Sequence, residues 1–416
     1  HNALTANTTG ELNVSVGYQS LEANTTAANC TAVGAKALKA NTTGTGNVAV
    51  GKSAMLVNTT GNYNVAIGEG ALDANTSAAD NTAVGSFNSG ANTTGSQNTS
   101  VGYAAFSTNT TGSSNVSVGR SALRLNTTAD NNTAVGDIAL ENNSTGHSNT
   151  AVGESALTAN TTAVNSTAVG LDALEAHTTG ASNTAVGRLA LGLNTTGADN
   201  VALGRNTLHS NTTASYNTGL GAVALNSNTT GASNTAVGYY AMVLHTTGAN
   251  NTAVGKDALA SSTTGLNNVA VGEGALNGVT TSQDNTAVGR HAGSGITTAN
   301  KNTCIGNQAG AAITTGTQNT ILGSDCASNS ATGTNNIVVG YNCTGVGSDN
   351  ITMGKAGSDK IYNQYVSNAT WARSSDERVK KEITTNADCG LDFINDLRTV
   401  TYKFKAPSEL DASMSE

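Results

Sequence analysis

The chain has 416 residues and a net charge of −8, with 48 Gly, a single Pro, 4% aromatic and 11% charged residues. Ordinary globular domains carry roughly 25% charge and enough Leu, Phe and Ile for a thick core, so this composition excludes them. It also excludes a disordered tail, because 37% of the residues are apolar, and it excludes collagen, which needs Gly at every third residue and abundant Pro.

Repetition decides the rest. Every multiple of 17 from Gly17 to Gly340 is a glycine, 20 in succession without insertion or deletion; Gly34, Gly51 and Gly170 are members of the series. The step to Gly354 is 14 residues and breaks the phase. A 17-residue unit is too short for two packed helices but long enough for one coil of a β-solenoid. The sequence therefore predicts an all-β fold, a parallel β-solenoid or β-roll of about 20 coils over 1–354.

Within each unit the residue before the Gly is aliphatic (Val16, Val33, Val50, Ile67), and the residue three before it is Thr, Val or Ile. Between them lies a small residue in 18 of 20 units, and four before the Gly lies Asn in 18 of 20, Cys30 and Ser166 departing. Side chains alternate in a strand. The β-branched and aliphatic pair thus shares one face, and Asn, the small residue and Gly share the other. The expectation is that the aliphatic pair lines a narrow core. A large apolar residue four after the Gly (Leu21, Leu38, Met55, Leu72) is expected to fill that core from the opposite wall. The small-residue face reads as a surface for close packing of identical chains around an axis. Asn-Thr-Thr-Gly, as at Asn41 to Gly44, supplies turn chemistry between coils.

Acidic residues recur at variable turn positions just after the repeat Gly (Glu69, Asp137, Glu154, Glu273) and read as solvated corners. His177 and His245 replace the turn Asn four coils apart, too far to share a metal. No metal or cofactor is expected. Cys326 and Cys343 are 17 apart, which stacks them at a spacing compatible with a disulfide; plain small-residue filling fits equally well. Thirteen Asn-x-Ser/Thr sequons share one phase, among them Asn24, Asn41 and Asn58. A turn ladder accounts for them without sugar, since glycans on adjacent coils would crowd one stripe about 5 Å apart. A glycosylated extracellular fibre is the alternative.

Beyond the solenoid, 355–374 loses the period and gathers Ile361, Tyr362, Tyr365 and Trp371, the sole Trp. It reads as a neck or linker that closes the thin roll, the alternative being a receptor-binding tip. A charged segment that a Ser-Asp cap would open as a helix follows within 375–416.

The unit Asn-Thr-Ala-Val-Gly-x-x-Ala-Leu at 183–191 resembles the repeats of trimeric autotransporter adhesin heads and of bacteriophage tail-fibre arrays. The resemblance covers about 1–354 and implies a packed or intertwined homotrimer outside the cell or on a virion. Independently, Ser374-Ser375-Asp376-Glu377-Arg378-Val379-Lys380-Lys381-Glu382-Ile383 resembles the start of the endosialidase-type intramolecular chaperone domain. That resemblance implies assistance to trimer assembly and self-cleavage between Ser375 and Asp376, with Ser375 as nucleophile and Lys380 as its activating partner. Only 41 residues follow the cut (416 − 375), fewer than the family domain has. The function expected is a structural or adhesive fibre shaft whose partners are a homotrimer and a host-surface glycan or protein, with neither nucleic acid nor membrane insertion. A cell-surface adhesin, an ice-binding solenoid and an enzyme on a β-helix are the competing classes. The last is disfavoured because 20 uninterrupted coils carry no loop platform for paired carboxylates.

Overall fold

A computed structural model describes residues 1–365 of the chain. Ser375, Asp376, Lys380, Trp371 and the partly helical segment expected at 375–416 lie outside the described residues. The fold is a parallel β-solenoid with one three-residue strand in each 17-residue coil, from β1 (Val14–Val16) and β2 (Thr31–Val33) through β12 (Val201–Leu203) and β13 (Thr218–Leu220) to β19 (Thr320–Leu322). No helix occurs among the described residues. The register advances by one repeat at every step: Val14 faces Thr31, Ser15 faces Ala32, and Val16 faces Val33. Twenty such rows make a rod roughly 95 Å long at the strand spacing.

The coils also bond outside the strands. Thr25 N–H donates to the Thr42 carbonyl at 3.1 Å, and Gly34 N–H donates to the Val16 carbonyl at 2.8 Å. The first Thr of the turn adds its hydroxyl: Thr178 Oγ1 donates to Thr195 O and Thr195 Oγ1 to Thr212 O, both at 3.0 Å. Because Thr212 O also accepts from Thr195 N, Thr195→Val should cost only about 1 kcal/mol or less in urea unfolding.

The end of the rod differs. Strand β20 (Ile337–Tyr341) pairs in parallel with β21 (Asn350–Lys355) across the 14-residue step, and β22 (Lys360–Gln364) turns back antiparallel on β21. The expected boundary at 354/355 thus falls one residue inside β21. Ile361 and Tyr362 lie in a strand that occupies the open edge left by the last parallel strand. An unpaired edge would present free N–H and C=O groups.

The core corrects one expectation. The small residue of each strand, not the aliphatic pair, points inward: Ala32, Ala49, Ala66 and Ala83 are fully buried, while the flanking Thr and Val residues are half-buried or exposed. The interior consists of that Ala, the Ala three after the Gly (Ala37, Ala54) and the Leu or Met four after it (Leu38, Met55). The reason is width. The Leu arriving from the facing wall, each worth about 1.5–3 kcal/mol when buried, fills a space one side chain thick, and only a small residue fits opposite. The small-residue face is therefore the core wall and is not available to another chain.

Departures from the repeat compensate one another. Ser89 stands where a Leu is expected, its hydroxyl 2.8 Å from that of Ser100, and the next coil brings the larger Phe106 to the same position. Where the large residue becomes Gly293 or Gly310, the turn Asn three residues later becomes Ile296 or Ile313. A Cβ on Gly293 would meet Ile296 Cδ1 at 3.1 Å, so the Ile occupies the vacated volume.

Backbone conformation completes the coil. In nearly every coil the residues two, four and twelve after the Gly adopt the left-handed region, as at Ser53 (φ 57), Met55 (φ 48) and Tyr63 (φ 56), Phe106 and Ala327 being exceptions at the fourth position. The twelfth position is mostly Asn, Asp, Ser or Gly, residues suited to that region. The buried Leu or Met at the fourth is not so suited, and its burial offsets the conformational cost.

Candidate interaction surface

Two buried Asn ladders hold the coil shape that presents the outer face. In the first, formed four residues before each Gly, Asn200 N–H donates to Asn183 Oδ1 at 3.0 Å, and Asn200 Nδ2 donates to Ala214 O at 2.8 Å. In the second, formed by the Asn-Thr-Thr turns, Asn58 Nδ2 donates to Asn41 Oδ1 at 2.8 Å and to Gly61 O at 3.1 Å. Polar groups removed from water are stable only when paired, and here each Asn pairs along the rod. Asn24, Asn41 and Asn58 are therefore interior residues whose amide nitrogens are occupied. A sugar on any of these nitrogens would have to displace the ladder.

His177 and His245 interrupt the second ladder. His177 Nδ1 lies 3.2 Å from Asn194 Nδ2, while its Nε2 and the Oδ1 of Asn160 in the preceding coil have no hydrogen-bond partner. His245 Nε2 lies 2.9 Å from Gly248 O, and its intrusion leaves Asn228 Oδ1 without a partner. Burial pushes the His177 pKa down to about 4 and lowers that of His245. Both rings are neutral at pH 7. Among the described residues, no three His, Cys, Asp or Glu side chains stand close enough to share a metal ion.

Cys326 and Cys343 stack at the same phase but are free, buried thiols, so the structure holds no bond between them. Burial raises both pKa values and pushes that of Cys304 up to about 12, leaving all three as protonated fillers of the core.

The repeat glycines Gly17, Gly34, Gly51, Gly170 and Gly340 form a third ladder along one corner, with φ between 131° and 154°. A Cβ on Gly34 would lie 2.5 Å from the Gly51 carbonyl oxygen, and one on Gly170 would lie 2.8 Å from the Gly187 carbonyl carbon. The close approach expected of these glycines is thus between successive coils of one chain.

What remains for a partner is the outward face of the strands. It consists of two side chains per strand, Thr, Val or Ile in one column and Val, Ile or Leu in the other, and no position from Val14 to Val339 is charged. Val201, Leu203 and Leu220 are 42%, 44% and 41% exposed. The column continues through the end of the rod, where register aligns Val339 with Met353 and Met353 with Ile361, the last two also exposed. Charges flank it at the corner just after the Gly, where they pair along the rod: Lys52 with Glu69 at 2.9 Å and Arg120 with Asp137 at 2.6 Å. Scanning for catalytic or ligating residues overlooks this stripe. Its signal is the free exchange of Thr and Val three before the Gly, beside Asn that scarcely varies.

No protein-family model matches the chain, and the searches of curated proteins and of solved structures likewise return no match.

Proposed function

We propose that the chain is the shaft of an extracellular fibre, a rigid spacer that acts as a homotrimer. The observation that supports this best is the uninterrupted register of 20 parallel rows. Each coil contacts only its neighbours, an architecture that sets length and stiffness and offers no loop platform for chemistry. The resemblance of the repeats to adhesin heads and phage tail-fibre arrays, and of the Ser375-Asp376 segment to the self-cleaving chaperone, extends the reading. In it, 1–354 is the shaft, the C-terminal segment assists assembly and is cut between Ser375 and Asp376 with Lys380 as activator, and the distal partner is a host-surface glycan or protein on behalf of a virion or a cell.

Electron microscopy of the purified full chain tests the mechanical part. Straight rods are expected, and removal of four coils (residues 103–170) should shorten them by about 19 Å at the strand spacing. A compact particle, or a length indifferent to the deletion, would overturn the shaft reading. Electrophoresis with and without boiling, for wild type and Ser375→Ala, reports trimerisation and cleavage together.

A further inference from the structure

The shaft reading leaves open which surface copies of the chain use to meet, and the stripe of outward Thr, Val, Ile and Leu side chains has the properties such a surface needs. We infer that this stripe is the interface through which copies of the chain pack in parallel, row against row. The inference rests on the shaft reading and gives it a contact surface.

Four observations converge on a second copy as the occupant. The first is area. Three residues of strand give a width of about 10 Å, which over a rod of roughly 95 Å makes about 900 Å², and a stable interface needs about 800 Å² per partner. The second is composition. The stripe is uncharged throughout, while Lys52, Glu69, Arg120, Asp137 and Glu154 border it with both signs of charge. An uncharged centre within a charged rim is the anatomy of a protein interface, and an exposed apolar patch of this length is rare on a lone soluble chain.

The third is periodicity. A partner of unrelated structure would need only a local patch, whereas here the same two-residue pattern recurs on all 20 strands. A surface complementary to every row must itself repeat at the strand spacing, and another copy of the solenoid does so. The fourth is continuity: the apolar column persists past the 14-residue step into Met353 and Ile361, where the repeat itself has ended. The interior cannot be the reason for that persistence, since these side chains point away from it.

The test uses the full chain carrying Val201→Lys, Leu203→Lys and Leu220→Lys on β12 and β13. All three side chains are exposed in the single chain, so lysines there disturb a lone solenoid little. The control places three lysines on the turn stripe at the exposed positions Thr179, Thr196 and Thr213. Sedimentation velocity should show wild type and control as oligomers, and the stripe variant dissociating at least tenfold more readily, with unchanged far-ultraviolet circular dichroism. Should the lysines disturb the fold, Val201→Thr with Leu203→Thr and Leu220→Thr keeps β-propensity and should also weaken association.

An oligomer untouched by either stripe variant would overturn the inference while leaving a self-associating shaft in place. A monomeric wild-type rod would overturn it too, and thermal hysteresis in that monomer would identify ice as the occupant of the Thr and Val rows. A particle that is not a rod would instead sink the shaft reading itself.

Discussion

Gly187→Ala is expected to destabilise the rod by about 4 kcal/mol or more. Two costs combine. The residue sits at φ 129°, a conformation that L side chains rarely adopt, and an added Cβ would lie 2.7 Å from both the carbonyl carbon and the carbonyl oxygen of Gly204. Neither obstacle is the end of a flexible side chain; both are backbone of the next coil, held by the hydrogen bonds from Gly204 N to Val186 O and from Val201 N to Asn217 O. Relief would require the two coils to separate, with loss of the ladder contacts that define them.

Gly197→Ala in the same coil is the control. An idealised Cβ there also falls close to a carbonyl, that of Ala214. Yet other coils carry Ala at the corresponding position, as Ala27, Ala78 and Ala129 do, and Gly197 is not among the residues with positive φ. A small shift evidently accommodates the methyl there, so the control should change stability by less than about 1 kcal/mol. Urea unfolding of the two variants side by side measures the difference. Comparable losses from both would show that simple crowding, and not the backbone geometry of the Gly corner, decides which glycines are required.

The period, the strand positions and the parallel register were legible in the sequence because a strict 17-residue recurrence admits few architectures. The inward position of Leu38 and its equivalents was legible from their size. What was misread was the sense of alternation. Thr-Ala-Val states that residues alternate between faces but does not say which face is inside, and the preference for burying Val over Ala favoured the wrong one. The coil reverses that preference because its interior is already filled from the facing wall by Leu and from two corners by Asn. A better clue lay in the partners of each residue. Ala32 shares its face with position 30, which is Asn in nearly every other coil, and a residue type so uniform in a column reads as an interior hydrogen-bonding ladder. The left-handed conformation of Leu38 (φ 50) had no local signal, because it is imposed by closing the coil and not by the preference of Leu.

The candidate surface was legible only after that reversal. The same columns that were assigned to the core, from Val14 and Val16 to Ile337 and Val339, became the exposed stripe. The Asn of the sequons, read as a turn ladder, form that ladder inside the coil, where Nδ2-to-Oδ1 bonds run along the rod. Sequence alone does not state the depth of the Asn in the coil.

The second large effect is loss of stability in acid, concentrated at two points of the shaft. His177 is fully buried within the turn ladder, and burial pushes its pKa down to about 4, whereas in the unfolded chain the ring titrates near 6.5. The unfolded chain therefore binds the proton first. The stability contributed by keeping His177 neutral is complete above pH 6.5, declines as pH falls through that value, and is lost by about pH 4, the total being on the order of 3 kcal/mol. His245 is shifted in the same direction by the same cause and adds to the loss. Because a solenoid transmits stability only between neighbouring coils, acid should open the rod locally around these residues before the Asn-only coils yield. Limited proteolysis at pH 4.5 should then cut near 177 and 245 in the wild type, with far less cutting at pH 7.5. His177→Asn with His245→Asn restores partners to Asn160 Oδ1 and Asn228 Oδ1, now orphaned, so this variant should be more stable at both pH values and should lose the acid-specific cuts. Identical pH dependence of wild type and double variant in thermal unfolding would show that the acid response arises elsewhere.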